Sequence, residues 1–165
     1  MTLSEIILTA IDPALSLLPG HMDSPKARVM LLAIGLQESR FEHRRQMGDG
    51  PARGFWQFEQ NGGVRGCVNH PASAGLLRRL CEIRGVAFDA RAIWSALETD
   101  DVLAAALARL LLYTDPRPLP ALGDVEGALG YYLRTWRPGK PHPETWPEFH
   151  RRARELVNAA QGPGS

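Results

Sequence analysis

Apolar residues recur every three or four positions along almost the whole chain, and this spacing is the period of an α-helix. The clearest helix begins after Asp23, because Ser24 is a good N-cap residue and Pro25 suits the first helical position. From Val29 the apolar period continues to about Arg40. A chain with this spacing is predicted to be a mostly α protein.

The same period predicts further helices between capping and turn residues. They lie within residues 1–18 and at 74–84, 89–97, 99–113, 124–136 and 144–160. Prolines at positions 116, 118 and 120 interrupt the period and predict a loop. No internal repeat or linker divides the chain, so residues 1–161 are predicted to form one domain. The final Gly-Pro-Gly-Ser, residues 162–165, is predicted to be a disordered tail.

The composition indicates a folded protein and gives no reason to expect a nucleic-acid or membrane partner. Hydrophobic residues make up 44% and charged residues 22% of the chain, which excludes disorder for most of it. The net charge is only +1. The longest apolar run, residues 103–113, is interrupted by Arg109 and is too short to span a bilayer. No secretory signal peptide is predicted, since no Lys or Arg precedes the first apolar residues and Glu5 and Asp12 interrupt them.

Residues 48–66 differ from the rest of the chain because six of these nineteen positions are glycine. The segment also contains Trp56 and Phe58, but no sustained period. We therefore predict an irregular Gly-rich segment between helices, with at most a short hairpin.

Glu38 is the first residue to suggest chemistry, because it lies one turn after Ile34 at the end of an apolar helix. If its side chain faces inward, desolvation raises its pKa and keeps it protonated near neutral pH. A carboxylic acid in that state can protonate the leaving oxygen of a glycosidic bond. The alternative is a solvated carboxylate that pairs with Arg40, Arg44 or Arg45.

The pair Glu38-Ser39 at a helix end, followed by Gly54-Phe55-Trp56-Gln57, resembles the lysozyme-like superfamily of goose-type lysozymes and soluble lytic transglycosylases. In that family a Glu-Ser pair ends a buried helix and a Gly-Leu-Met-Gln element follows. Phe and Trp replace Leu and Met here. A later Ala-Tyr-Asn element of the family is similar to residues 128–133, but the Asn is missing.

This resemblance implies a lysozyme-like domain that cleaves the β-1,4 bond between MurNAc and GlcNAc in peptidoglycan. Glu38 would be the general acid, and Ser39 would orient a carboxyl or a substrate group. Gln57 would hydrogen-bond the sugar or its N-acetyl group. Either Tyr131 or Tyr132 would help to hold the acid, and the sequence leaves open which one.

The residues of the Gly-rich segment allow two interpretations. Gly54 would let the backbone approach a sugar closely, because it lacks a Cβ. Phe55 and Trp56 would offer flat apolar faces to pyranose rings, or would instead anchor the core. Gln57 would contact the substrate, or would instead satisfy the backbone.

Two further carboxylates bear on the type of reaction. An inverting hydrolase needs a base about 6.5–9.5 Å from the acid to activate water. Glu59 follows Gln57 by two positions, where goose-type lysozymes have an Asp, and Asp49 precedes Gly54 in a turn. A transglycosylase needs no such base, because the 6-hydroxyl of muramic acid closes on its own ring. The two carboxylates favour hydrolysis, and transglycosylation stays open.

Cys67, His70 and Cys81 do not make a convincing zinc site, since a structural site needs four ligands and no second pair is present. We expect buried free thiols and no metal or other cofactor. The loop at residues 136–142 is basic and aromatic, so it either packs as a turn or touches anionic cell-wall polymer.

Together these features predict a bacteriolytic, wall-degrading enzyme of a bacteriophage or prophage. Its partner would be the peptidoglycan glycan strand, with no nucleic acid and no membrane insertion, and it would be a monomer or part of a virion. It would be made in the bacterial cytoplasm and reach the cell wall through a holin or on the virion. The alternative is a catalytically inactive, lysozyme-like structural or assembly protein of a phage particle. The changes at Phe55 and Trp56 and the missing Asn favour that alternative.

Overall fold

In the computed structural model, which describes residues 1–161, helices account for most of the chain, and the predicted mostly α class is confirmed. The predicted disordered tail, 162–165, lies outside the described residues. In chain order the helices are α1 (Leu3–Ile6), α2 (Asp12–Ser16), α3 (Pro25–Ser39), α4 (Arg65–Asn69), α5 (Ala74–Arg84), α6 (Ala90–Ala96), α7 (Asp101–Tyr113), α8 (Val125–Trp136) and α9 (Trp146–Gln161). A π-helical turn, Ile7–Ile11, joins α1 to α2 without a break, and 3-10 turns precede α3 and α9 at Gly20–Met22 and Pro143–Thr145.

Side-chain caps explain why the helices begin where the sequence predicted. The Ser24 hydroxyl accepts a hydrogen bond from the backbone N–H of Ala27 at 3.1 Å, and Pro25 is the first residue of α3. The carboxylates of Asp100 and Asp124 cap α7 and α8 in the same way. Gly85, with φ of 70°, ends α5 as expected.

Helices α3 and α7 form the centre of the core. Residues 29–36 of α3 and 103–112 of α7 are all buried, which explains why neither helix has a strongly polar face. Helix α9 packs along α3, and the segment from α1 to α2 packs against α7. Within residues 1–161, none of the helices has both the length and the apolar character needed to cross a membrane.

The Gly-rich segment is only partly as predicted. Arg53 forms isolated antiparallel bridges with Arg45 and with Phe58, which agrees with an irregular segment that has at most a short hairpin. The prediction of irregular structure up to residue 66 is wrong for its end, because Gln60–Val64 forms a π-helical turn that leads into α4. Gly63 is required there, since the ring of Phe58 occupies the space that a Cβ would fill.

Cys67 and Cys81 are buried free thiols, and burial raises the pKa of Cys67 to about 12. Within residues 1–161, no three His, Cys, Asp or Glu side chains come together in a group that could hold a metal ion.

The end of α3 folds back on itself in a way that requires Gly35. Arg40 and Phe41 both have a φ of 55°, and this reversal brings the Phe41 ring under Gly35, where a Cβ would overlap it. The ring also meets Phe55 and Trp56 edge to face, with centroids 5.6 and 5.5 Å away. Gly35 therefore lets the chain turn at the base of the Gly-rich segment.

We expect Gly35→Ala to lower the free energy of unfolding by about 1–3 kcal/mol, because the methyl group overpacks a filled core. Chemical denaturation measures the loss. Gly75→Ala in α5 is the matched control, since nothing lies near its Cβ position, and it should leave stability unchanged or raise it. Equal stability of Gly35→Ala and the wild type would contradict this packing.

Candidate functional site

Glu38 lies in the last turn of α3, with its side chain only partly exposed. The hydroxyl of Tyr132 donates a hydrogen bond to Glu38 Oε1 at 2.8 Å. Burial raises the pKa of Glu38 to about 7; the hydrogen bond from Tyr132 lowers it, and the charge of Glu59 raises it further. The expectation that an inward-facing Glu38 has a raised pKa is confirmed. Near neutral pH this carboxyl is therefore protonated in a large fraction of the molecules.

The alternative of a carboxylate paired with a nearby arginine is wrong, because these arginines have other partners. Arg44 forms two hydrogen bonds to the carboxylate of Asp101, at 2.9 and 2.8 Å. Arg45 pairs with Glu98, and Arg40 lies over the ring of Phe149. Glu38 is left with a neutral partner, the Tyr132 hydroxyl.

Tyr132, rather than Tyr131, is the tyrosine beside the acid. Its ring stacks on Trp146 of α9, with centroids 5.2 Å apart and an angle of 6° between the planes. Trp146 is held in turn by a hydrogen bond from its Nε1 to the carbonyl of Val125. Tyr131 points elsewhere, and its hydroxyl contacts the carbonyls of Leu112 and Arg117. The stacking fixes the direction from which Tyr132 reaches Glu38.

Ser39 is buried, and its hydroxyl contacts backbone groups around the end of α3. Its side chain is 2% exposed, and its hydroxyl donates to the carbonyl of Phe55 at 2.6 Å. The same oxygen accepts the N–H of Phe41 at 3.1 Å. Because both partners are backbone groups, Ser39 fastens the end of α3 to the Gly-rich segment and so positions its neighbour Glu38.

Phe55 and Trp56 do not form the expected platform for sugar rings. They are 1% and 0% exposed, and Trp56 Nε1 donates to the carbonyl of Leu31 at 2.8 Å. The interpretation as core anchors is the one that the structure supports. Gly54, with φ of 78°, faces Leu97, whose carbonyl would lie 3.1 Å from an added Cβ, so close packing accounts for this glycine.

Gln57 lies at the end of this turn, at the edge of a groove. It has a φ of 52°, and its side-chain Nε2 donates to the carbonyl of Gly54 at 2.9 Å. This bond satisfies the backbone, as one of the two interpretations expected. The side chain is still partly exposed and lines the groove, so it can also contact a ligand.

The groove has a volume of about 600 Å³ and runs between the Gly-rich segment and the end of α8. Besides Gln57, its walls include Glu59, Asn61, Trp136 and Arg137. Glu38 is not among the residues that line it. Two residues connect it to the groove. The charge of Glu59, which lines the groove, acts on Glu38, and the ring of its hydrogen-bond partner Tyr132 lies 6.2 Å from that of Trp136 in the groove wall.

Trp136 is the partly exposed aromatic residue of this groove, and the sequence analysis treated it only as part of a basic loop. Its Nε1 donates to the carbonyl of Trp56 at 3.0 Å, its ring packs beside those of Phe58 and Tyr132, and the residue lines the groove. The sequence feature that could have indicated Trp136 is its position as the last residue of an amphipathic helix, just before a Pro-Gly loop. Trp136 replaces Phe55 and Trp56 as the candidate platform for a sugar ring.

Gln37 is a second residue that the sequence analysis missed. Its Nε2 donates to the carbonyl of His142 at 3.0 Å, and its Oε1 accepts from the hydroxyl of Thr145 at 3.0 Å. These bonds hold the loop that follows Trp136 beside the end of α3. The loop is therefore anchored beside α3 at its end, while residues 139–144 are exposed.

Glu59 and Asp49 differ in their relation to Glu38. Glu59 is exposed, lines the groove, and its charge raises the pKa of Glu38. Asp49 is an exposed turn residue with φ of 56°, and its charge acts on Arg45. Both line a second depression that also contains Trp94. Glu59 is thus the better placed of the two expected partners of the acid.

No family model, curated protein or solved structure matches this chain.

Proposed function

We propose that the protein cleaves peptidoglycan glycan strands at the β-1,4 bond between MurNAc and GlcNAc, with Glu38 as the general acid. The observation that carries this proposal is a carboxyl whose pKa is raised to about 7 and whose Oε1 accepts the Tyr132 hydroxyl. A general acid works best when its pKa lies near the operating pH. Cleavage of a glycosidic bond requires such an acid at the leaving oxygen.

The geometry suggests how the proton is delivered. Because Tyr132 occupies Oε1, the proton of Glu38 is carried on Oε2, from which it passes to the glycosidic oxygen as the bond to the anomeric carbon breaks. The carboxylate left on Glu38 keeps the Tyr132 hydrogen bond, which stabilises it. The sugar, now resembling an oxocarbenium ion, is positively charged and lies near the negative charge of Glu59.

We favour water as the attacking group, with Glu59 as the base that activates it. Glu59 is exposed to solvent at the groove and close enough to Glu38 to affect its pKa. The runner-up is attack by the 6-hydroxyl of muramic acid, which gives an anhydro product. For delivery we retain the route of a phage or prophage protein that reaches the wall through a holin or on the virion.

The direct test is incubation of the purified protein with a suspension of purified peptidoglycan. We expect the suspension to clear and soluble muropeptides to appear, with activity falling above about pH 7 as Glu38 loses its proton. If no fragments are released at acidic, neutral or mildly alkaline pH, the proposed activity is wrong.

The second candidate is a non-catalytic structural or assembly protein of a phage particle. Two observations favour it: Glu38 does not line the groove, and the rings of Phe55 and Trp56 are buried. Sedimentation with peptidoglycan, without any release of fragments, would support this candidate over the enzyme.

Tyr132→Phe tests the hydrogen bond to the acid. Removal of the hydroxyl removes an interaction that lowers the pKa of Glu38, so the alkaline limb of the pH–rate profile should move to higher pH. The matched control is Tyr131→Phe, which loses only contacts to backbone carbonyls and should leave the limb in place. An unchanged limb in Tyr132→Phe would contradict the assignment of Glu38.

A further inference from the structure

Arg109 is a buried cation without a counter-ion. It lies within the apolar stretch of α7 and is 5% exposed. Its Nε donates to the carbonyl of Met22 at 2.8 Å, and its guanidinium lies 5.8 Å from the ring centroid of Tyr113. Within residues 1–161 neither terminal nitrogen has a hydrogen-bond acceptor, and the charge of Asp23 acts on the guanidinium only from beyond ion-pair distance. Burial accordingly lowers its pKa. A buried charge in this state is costly unless something pairs with it.

Arg109 borders a hollow of about 520 Å³. In the described part of the chain, the only side-chain polar atom that is both sealed from solvent and without a partner is Nδ1 of His150. The terminal nitrogens of Arg109 are therefore not fully sealed from solvent, although the residue is only 5% exposed. A hollow of this size is in the range of small-molecule sites.

The rest of the lining favours an anion with a small apolar body. The one acidic side chain of the lining, Asp115, is paired with Arg134 at 3.1 Å and with Arg117 at 4.0 Å, so Arg109 is the cation of the lining without an ion-pair partner. Pro116, Pro118 and Leu119 supply apolar walls. One planar guanidinium fork matches the geometry of a carboxylate. A singly charged carboxylate is the anion whose charge one unpaired guanidinium can balance.

The hollow is held open by its own walls. The Tyr131 hydroxyl contacts the carbonyls of Leu112 and Arg117, which ties the end of α7 to the proline-containing loop. Prolines restrict that loop further. The site is therefore formed before a ligand binds, so binding costs little conformational entropy.

We propose that this hollow is a carboxylate-binding site in which the guanidinium of Arg109 pairs with the ligand. The hollow shares Asp115 and Pro116 with the groove beside Glu38. The source of the carboxylate that fits this position is the peptide stem of a glycan strand lying in the groove. The assignment of that source rests on the proposed function, whereas the carboxylate site does not.

The test is calorimetric titration of the full chain with N-acetyl-D-alanyl-D-alanine and with its C-terminal amide. We expect the free carboxylate to bind saturably and the amide to bind about tenfold more weakly or worse. Arg109→Met should lose a similar factor, while Arg79→Met, an exposed arginine of α5, should bind like the wild type. The site is refuted by no saturable binding to the wild type, by equal binding of the amide, or by equal binding to Arg109→Met.

A second measurement covers the case in which Arg109→Met fails to fold. In nitrogen-15-labelled wild-type protein, the Arg109 Nε–H resonance, assigned with Arg109→Lys, should shift with the carboxylate and stay in place with the amide. A resonance that does not move at saturating carboxylate overturns the proposal.

Competition binding experiments identify the molecule that supplies the carboxylate. A soluble disaccharide that carries its peptide should displace the dipeptide, and the same disaccharide without the peptide should not. If neither displaces it, the stem is refuted as the source and a free small carboxylate remains. Because binding is read without cleavage, a protein that binds the dipeptide but releases no wall fragments would refute the proposed function and leave the site intact.

Discussion

Glu38→Gln is expected to stop the release of soluble fragments from peptidoglycan, with a loss in rate of about 10²–10⁴-fold. The amide has nearly the same shape and its oxygen can still accept the Tyr132 hydroxyl, but it has no acidic proton to give. Glu42→Gln is the matched control, because this exposed glutamate follows four positions later and should be neutral. Activity above about a tenth of the wild-type rate would contradict the role of Glu38.

The same variant should keep its fold and gain stability at higher pH. Folding raises the pKa of Glu38 from 4.5 to about 7, so the folded protein holds more protons than the unfolded chain across that window. The wild type therefore loses stability as the pH rises from about 4.5 to 7, by on the order of 3 kcal/mol. The Glu38→Gln variant has no ionisable group at this position, so it does not lose this stability as the pH rises. Its melting temperature should exceed that of the wild type above pH 7, and the difference should shrink towards pH 4.5.

Glu59→Gln is the second change with a large expected effect, and it bears on the type of reaction. If Glu59 activates water, turnover should fall by about 10²-fold or more, and the wild-type products should be reducing muropeptides. Removal of its charge should also lower the pKa of Glu38 and move the alkaline limb of the pH profile to lower pH. Asp49→Asn is the matched control and should change neither.

Mass spectrometry of the wild-type digest gives an independent reading, because an anhydro muropeptide is one water lighter than the hydrolysed product. Anhydro products, together with a small effect of Glu59→Gln on turnover, would refute hydrolysis and support transglycosylation as the reaction. Glu59 would then act on Glu38 only through its charge.

The helices could be predicted from the sequence because their signals are local. The caps at Ser24, Asp100 and Asp124 and the stop at Gly85 lie within a few residues of the backbone groups that they satisfy. The raised pKa of Glu38 could be predicted for a related reason. A carboxyl that follows an unbroken apolar stretch of helix has little water around it.

The groove could not be predicted because its contacts are distant in sequence. Trp136 donates to the carbonyl of Trp56, eighty positions away, and nothing local to either residue indicates this bond. Tyr131 and Tyr132 are adjacent in α8 and both are buried, so burial alone does not distinguish the tyrosine that faces the acid. Only the packing of α9, through Trp146, settles which ring reaches Glu38.

Phe55 and Trp56 show why the sequence left two interpretations open. Their place in a Gly-rich segment does not indicate whether the rings are exposed, and they are buried because the reversal after α3 brings Phe41 beneath both of them. That reversal depends on two non-glycine residues, Arg40 and Phe41, with positive φ, which propensity alone disfavours.

The stacking of Trp146 on Tyr132 also fixes the order in which the site can be completed during synthesis. Glu38, Gln57 and Glu59 leave the ribosome early, but the ring that supports the tyrosine belongs to the last helix, α9, which also packs along α3. A nascent chain, or one cut before Trp146, has every candidate catalytic side chain and lacks the support for Tyr132. Under the proposed function, the activity should therefore require docking of α9, and truncation before Trp146 should abolish it without removing Glu38, Gln57 or Glu59.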